Sequence, residues 1–327
     1  MIWTRCRGGE GLRTALACML LSYACVVQSE PEPLKWLKRI QFASQKLSYS
    51  GTVVYQQGDR TETSRITHLV DGHEEIEKIE FMDGMPREIL RTNDLIRCYL
   101  PESRSIRLER RSDQRSFPAI LPKNLEKLAE NYEIALGESR RIAGFNCREV
   151  ILKPKDDLRY GYRICGDLHT AMLLRARTVD SRGATVEQFT FAQLRVGSVE
   201  RDQTRTSFSA HGWSIEDSLL TPANFAEAGW SMPSALPGFA KVLEVRRRFH
   251  DSPGVGQVVY SDGIAAVSVF LEPLQNRREP VRTGLTSIGA SNLYTRHVAN
   301  HLVTVVGEMP PGSVARMAET VRYSQTR

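Results

Sequence analysis

The sequence predicts an α+β chain, mainly β, in two modules. Up to eleven strand patterns follow one another between about residues 49 and 196, with only two helices among or before them. The pattern breaks across 198–233 and then resumes as a shorter strand series that ends in a helix. Eleven consecutive antiparallel strands are too many for a compact flat sheet, so the first module must curl or split.

The elements follow in order. Leu34, Leu37, Ile40, Ala43 and Leu47 recur at helical spacing, which predicts an amphipathic helix over 33–47 with Lys35, Lys38, Arg39 and Lys46 off its apolar stripe. Strands are expected near 49–57, 61–70, 73–82, 85–91, 94–100 and 104–110. The turn pairs Gly58-Asp59, Asp71-Gly72, Asp83-Gly84 and Asn93-Asp94 separate the first five, and Pro101-Glu102-Ser103 precedes the last. A short helix entered at Pro122 is expected over 122–131. Further strands read at about 132–143, 146–153, 158–166, 170–179 and 184–196.

Residues 198–233 have no sustained period and are punctuated by Gly, Ser and Pro, as in a linker. The second module reads as strands at 239–249, 255–260 and 264–271, a loop over 272–291, strands at 292–297 and 300–307, and a helix from Met309-Pro310 to about Tyr323. Val314, Met317, Ala318 and Val321 form one face of that helix.

The N-terminus sets the compartment. Arg5, Arg7 and Arg13 precede an uncharged run, Thr14 to Val27, and the composition turns polar at Glu30-Pro31-Glu32-Pro33. A basic start, a short apolar core and small residues at a cleavage site describe a secretory signal peptide over 1–29. The core is short of the ~20 residues that span a bilayer. An uncleaved anchor is the alternative. The expected division is a signal peptide at 1–29, a first domain at 30–200, a linker at 201–232 and a small sheet-plus-helix domain at 233–323. Without the leader's net +2, the formal charge falls from +6 to +4. That is mildly basic and does not suggest a nucleic-acid partner.

Cys98, Cys147 and Cys165 remain beyond the leader. Residues 147–165 read as a hairpin. A turn centred near 156 would set Cys147 opposite Cys165, close enough to bridge in an oxidising compartment. Two buried thiols are the alternative. Cys98 is then left free.

No catalytic or cofactor motif stands out. The sequence has no Gly-x-Ser-x-Gly elbow, P-loop or dinucleotide fingerprint. His297 and His301 sit in a strand-like stretch that favours ordinary polar histidines over a metal site. Glu74, Glu75, Glu77 and Glu80 alternate with Ile76, Ile79 and Phe81, which suggests a solvated sheet face.

Four stretches carry a resemblance. They are Gly51-Thr52-Val53-Val54-Tyr55; Asp83-Gly84-Met85-Pro86-Arg87-Glu88 ahead of Arg91-Thr92-Asn93-Asp94; Pro154-Lys155-Asp156 ahead of Arg159-Tyr160-Gly161-Tyr162-Arg163; and Leu302-Val303-Thr304-Val305-Val306-Gly307-Glu308-Met309-Pro310. In this order, from about Leu34 to Tyr323, the chain resembles the RseB/MucB family of exported regulators. Ile164-Cys165 stands where a bulky residue such as Trp is expected in that family, so a family-wide disulfide is not implied.

The resemblance implies a first domain similar to the LolA/LolB lipoprotein carriers, an unclosed, strongly curved antiparallel half-barrel with helices on its concave side. It implies that the protein binds the periplasmic segment of a membrane-spanning anti-sigma factor (RseA/MucA-like) and shields it from regulated proteolysis. Lipopolysaccharide or another lipid would weaken that complex. A periplasmic lipid or lipoprotein carrier is the alternative, and the second module favours the regulator. The expected partner-binding residues are Arg246 and Arg248, which would share one strand face, and the exposed-looking Tyr294 and Arg296. A homo-oligomer is compatible with the sequence, which does not decide it.

Overall fold

The computed structural model describes residues 31–324, apart from 111–116, 218, 234–235, 249–253, 275–281 and 289. The expected leader, 1–29, lies outside the described residues. The elements run α1 (Glu32–Lys46), β1 (Tyr49–Gln57), β2 (Arg60–Asp71), β3 (Glu74–Phe81), β4 (Arg87–Thr92), β5 (Leu95–Leu100), β6 (Ser105–Arg110), α2 (Leu128–Asn131), β7 (Tyr132–Ile142), β8 (Phe145–Pro154), β9 (Gly161–Asp167), β10 (Leu173–Val179) and β11 (Thr185–Val196). They continue as β12 (Ser214–Asp217), β13 (Leu219–Pro222), β14 (Trp230–Ser231), β15 (Ala240–Arg248), β16 (Val255–Ser261), β17 (Ala266–Pro273), β18 (Gly284–Ile288), β19 (Ser291–Val298), β20 (His301–Gly307), α3 (Pro311–Thr320) and β21 (Arg322–Tyr323).

Twelve strands form the first sheet, in the order β12-β6-β5-β4-β3-β2-β1-β11-β10-β9-β8-β7. Its two edges, β12 and β7, do not pair, so the sheet stays open. Its concave face holds α1 and the segment 117–128. Leu37 and Ile40 of α1 pack with Leu121, Leu125 and Leu128 against Tyr49, Leu152, Ile164 and Phe191 of the strands. Gly51 lets the β1 backbone pass close to β11. A Cβ there would collide with the Gln193 carbonyl oxygen and lie 2.8 Å from Phe191 Cε1.

Seven strands form the second sheet, in the order β13-β15-β16-β17-β20-β19-β18. One face carries α3 and the strap aromatics Phe225 and Trp230 over Val258, Val269, Val303 and Val305. The opposite face turns toward the first sheet.

Several expectations need correction. The helix expected over 122–131 is only Leu128–Asn131. Leu121, Leu125 and Leu128 have helical spacing because they anchor irregular chain to the concave face. The amides of Leu128, Ala129 and Glu130 make three-residue turns onto Leu125, Glu126 and Lys127. The final helix stops at Thr320, and Arg322–Tyr323 pairs with Trp230–Ser231 instead. The loop expected over 272–291 contains β18, an edge strand with Leu285 and Ile288 exposed. With no buried face it carries no alternation to read.

The stretch expected as linker, 201–232, is a strap built into both sheets. β12 pairs in parallel with β6, and β13 pairs with β15. Ahead of them the Ser207 hydroxyl, Thr206 Oγ1 (2.7 Å) and Ser207 N (3.0 Å) donate to the buried Glu88 carboxylate; burial raises its pKa, but these hydrogen bonds outweigh that and hold it below the usual carboxylate range. Polar side chains that bond to the sheet leave no apolar period, so the strap looked like a linker.

The cysteine register differs from the expected one. Cys165 pairs with Glu149 and Cys147 with Asp167, because the turn centres one residue later than 156. Cys147 and Cys165 are joined by a disulfide all the same, with a Cα–Cα distance of 5.6 Å across a diagonal. Cys98 is a free, half-buried thiol that burial pushes upward.

Candidate ligand cavity and partner surface

The two sheets line a cavity of about 500 Å³ that is open to solvent on one side. Six strands of the half-barrel supply its curved wall, through Val53, Ile66, Ile79, Tyr162, Ala176 and Phe189. A flat sheet could not bring these residues around one space. Phe117 stacks on Phe189 at 5.5 Å, and Ile120 and Ile264 extend the apolar lining. The second sheet closes the other side with Ser261, Ala266, Ser268, Ser291 and Val306. Acyl chains or apolar side chains would lose water on entry, at ~0.8 kcal/mol per CH₂.

Two carboxyl groups interrupt the apolar wall. Glu187 accepts from Tyr55 Oη at 2.9 Å and from Thr178 Oγ1 at 3.1 Å. Burial pushes its pKa up, and the two hydrogen bonds partly offset that. Glu308, in the fourth resemblance stretch, remains solvent-accessible on the cavity wall. Its protein surroundings, and then the Glu187 charge, raise its pKa to about 7.

A buried ion pair joins the sheets beside the cavity. Arg159 Nη1 lies 2.8 Å from Asp262 Oδ2, and both side chains are fully buried. Tyr132 Oη donates to the same oxygen at 3.0 Å, and Arg159 Nε donates to Asp156 Oδ1 at 3.0 Å. Next to it, Asn292 Nδ2 donates to Tyr160 Oη at 3.3 Å. A third link pairs Arg247 with Glu109 of β6 at 3.6 Å. The Arg159-Tyr160-Gly161-Tyr162 stretch therefore forms the joint between the sheets. Gly161 fits closely there, because a Cβ would sit 3.1 Å from both the Leu152 carbonyl and Val179 Cγ2 and those neighbours would have to give way.

The expected partner residues do not gather into one patch. Arg246 lies on the α3 face of the second sheet, half-buried, with its guanidinium 5.7 Å from the Phe225 ring centroid. Arg248 ends β15 two residues further on. Tyr294 and Arg296 occupy β19, four strand spacings away, or about 19 Å. Neither is an exposed anchor. Tyr294 packs against the second core, and Arg296 Nη1 donates to the Ala318 carbonyl at the end of α3 at 3.3 Å. Strand alternation did not reveal them as covered because α3 lies over that face.

Other sequence features resolve into structure. The acidic run splits between the two faces of β3. Glu77 is buried on the concave side, 3.2 Å from Arg91. His297 and His301 fall on separate strands, and His301 packs edge-on against Trp230 at 5.0 Å. Among the described residues no group of three potential metal ligands occurs, and no helix is long and apolar enough to cross a membrane. The residues that line the cavity and the Arg159–Asp262 joint were missed from sequence. A buried Arg and a turn Asp 103 positions apart give no local signal.

Two β modules locked over an apolar cavity have the build of a binding protein with two surfaces. Residues 32–212 match the MucB/RseB N-terminal domain and residues 224–322 the MucB/RseB C-terminal domain, and the chain belongs to the MucB/RseB family. Among curated relatives, the sigma factor AlgU regulatory protein MucB of Pseudomonas aeruginosa is 27% identical over 319 residues, which covers 94% of this chain and 97% of MucB. The sigma-E factor regulatory protein RseB of Escherichia coli K12 is 25% identical over 308 residues, covering 93% and 94%. Among solved structures, the complex of P. aeruginosa MucA/MucB aligns with a TM-score of 0.71 at 25% identity, over 90% of this chain and 100% of that one. MucB in complex with MucA(peri) aligns at 0.68 with 25% identity, over 89% and 99%.

Proposed function

We propose that this chain is a periplasmic negative regulator of an envelope-stress sigma factor. It binds the periplasmic segment of a membrane-spanning anti-sigma factor and shields that segment from regulated proteolysis. The observation that carries this reading is the match of both domains, over nearly the whole length, to a protein whose solved structure is a complex with MucA. The N-terminal pattern supports export by a cleaved signal peptide at residues 1–29. The chain acts as a binding protein and not as an enzyme.

The cavity supports a lipid-released switch. A lipid or lipopolysaccharide acyl chain in the cavity would touch both sheets, and the anti-sigma segment need not share that site. Release then needs only that each ligand prefers a different arrangement of the sheets. A carrier would also use such a cavity, but the second sheet as its closing wall favours regulation. Arg246 and Arg248 are proposed as partner contacts at the strap edge of the second sheet. Replacing both with Ala should weaken binding of the purified periplasmic segment and flatten its salt dependence in a titration. Unchanged affinity would remove these two residues from the interface.

A further inference from the structure

The outer face of the half-barrel holds more guanidinium charge than it neutralises. Glu149 of β8, 1% exposed, is the carboxylate at the centre of four arginines. Arg177 Nη2 donates to its Oε1 at 3.1 Å, and Arg163 Nη1 reaches its Oε2 at 3.5 Å. Arg175 and Arg140 stand at 3.8 and 4.0 Å, within ion-pair range but too far to hydrogen-bond. Glu138 pairs with Arg140 at 3.0 Å. Two carboxylates therefore face four guanidiniums, an excess of two positive charges.

The strand register makes the cluster one site. Arg175 is directly opposite Cys165, Cys165 is opposite Glu149, and Arg177 is opposite Arg163. Residues 175 and 177 lie two apart and share a face. The intervening Ala176 lines the concave cavity, which places the arginines on the outer face. The Cys147–Cys165 disulfide staples β8 to β9 within this array.

The decisive observation is a set of unused donors. Arg175 Nε and Nη2 and Arg177 Nε are buried without a hydrogen-bond partner among the described residues. Burial and the neighbouring Arg177 charge hold Arg175 below the usual guanidinium range. Water could accept a hydrogen bond there but would not offset the repulsion. An oxyanion does both, and the guanidinium fork matches it bidentately.

The geometry points to an oxyanion site for a phosphate group, framed by Arg163, Arg175 and Arg177 on the outer face of the half-barrel. A dianion would match the excess charge. The phosphate can be free or can be the headgroup of a lipid. The site is on the opposite face of the sheet from the cavity, so it does not depend on the regulatory reading.

The test uses the full chain. Its melting temperature is followed against inorganic phosphate, with chloride at matched ionic strength as control. Co-sedimentation is measured with vesicles of phosphatidic acid in phosphatidylcholine and with phosphatidylcholine alone. Saturable binding of phosphate, or of phosphatidic acid vesicles, should weaken at least tenfold in Arg163→Gln and Arg177→Gln. It should be unchanged in Arg182→Gln, whose side chain is 88% exposed. A response to phosphate assigns the site to the free ion, and a response to vesicles alone assigns it to the headgroup. Arg163 is 35% exposed, which keeps one variant usable if Arg177→Gln does not fold. No saturable response to either probe, or a response that survives in folded Arg163→Gln, overturns the assignment.

Discussion

Arg159 donates to Asp262 at 2.8 Å across the joint of the two sheets, with neither side chain exposed to solvent. The pair sits where the hairpin loop of β8 and β9 meets the turn between β16 and β17. Arg159 also donates to the Pro237 carbonyl at 2.5 Å, so one side chain satisfies three segments.

Removing Asp262 leaves the buried Arg159 charge with only the part-exposed Asp156 carboxylate to compensate it. Asp262→Asn should therefore destabilise the protein by about 3 kcal/mol. It keeps the Oδ1 that accepts from the Ile264 and Ala265 amides, so the loss reports the charge. A double-mutant cycle with Arg159→Met by urea denaturation should give a coupling above ~1 kcal/mol. Additive losses would mean that this pair does not couple the two sheets.

Glu308 predicts a pH dependence. Its folded pKa, about 7, lies above its ordinary value of 4.5, so the fold favours the protonated form. That contribution is complete below about pH 4.5 and is lost as pH rises through about 7. Glu308→Gln should raise stability above pH 7 by on the order of 1 kcal/mol, a figure discounted for solvent contact, and should change nothing near pH 4. Thermal denaturation of both proteins from pH 4 to 8 measures this. Parallel curves across the range would contradict it.

Gly51 predicts a packing effect. A methyl group at this position meets the Gln193 carbonyl and the Phe191 ring, which belong to the strand paired with it. Gly51→Ala should cost about 1–3 kcal/mol. A loss below 0.5 kcal/mol in chemical denaturation would show that β1 and β11 can separate freely.

The disulfide closes a loop with a sequence separation of 18. Peptide mapping of non-reduced, periplasmically expressed protein should find Cys147 linked to Cys165 and Cys98 free. Cys147→Ser with Cys165→Ser should cost on the order of 3 kcal/mol. A link through Cys98 would contradict the fold of β8 and β9.

Strands were legible where one face is buried and turn pairs mark the ends. β1 to β6 follow Gly-Asp, Asp-Gly and Asn-Asp turns within a residue or two of expectation. β18 was not legible because it lacks a buried face. The strap was hidden because Thr206 and Ser207 serve it through hydrogen bonds to Glu88, more than 100 positions earlier. The resemblance stretches were visible as sequence, but their roles needed three dimensions. Arg159 is a joint, Tyr162 and Glu308 line the cavity, and Gly51 is a close approach. The covering of Tyr294 and Arg296 depends on where α3 lies, which local patterning does not encode.

The strap also bears on how the binding account is tested. Ending the chain near 200 would strip β12 from β6 and remove the Thr206 and Ser207 donors from Glu88, so the full chain is the proper reagent. The most direct measurement is cleavage of the purified anti-sigma periplasmic segment by its site-specific protease, with and without one equivalent of full-length protein. The account predicts that the segment is protected and that added lipopolysaccharide restores cleavage. Cleavage at the same rate with and without the protein, despite a folded state verified by circular dichroism, would contradict it.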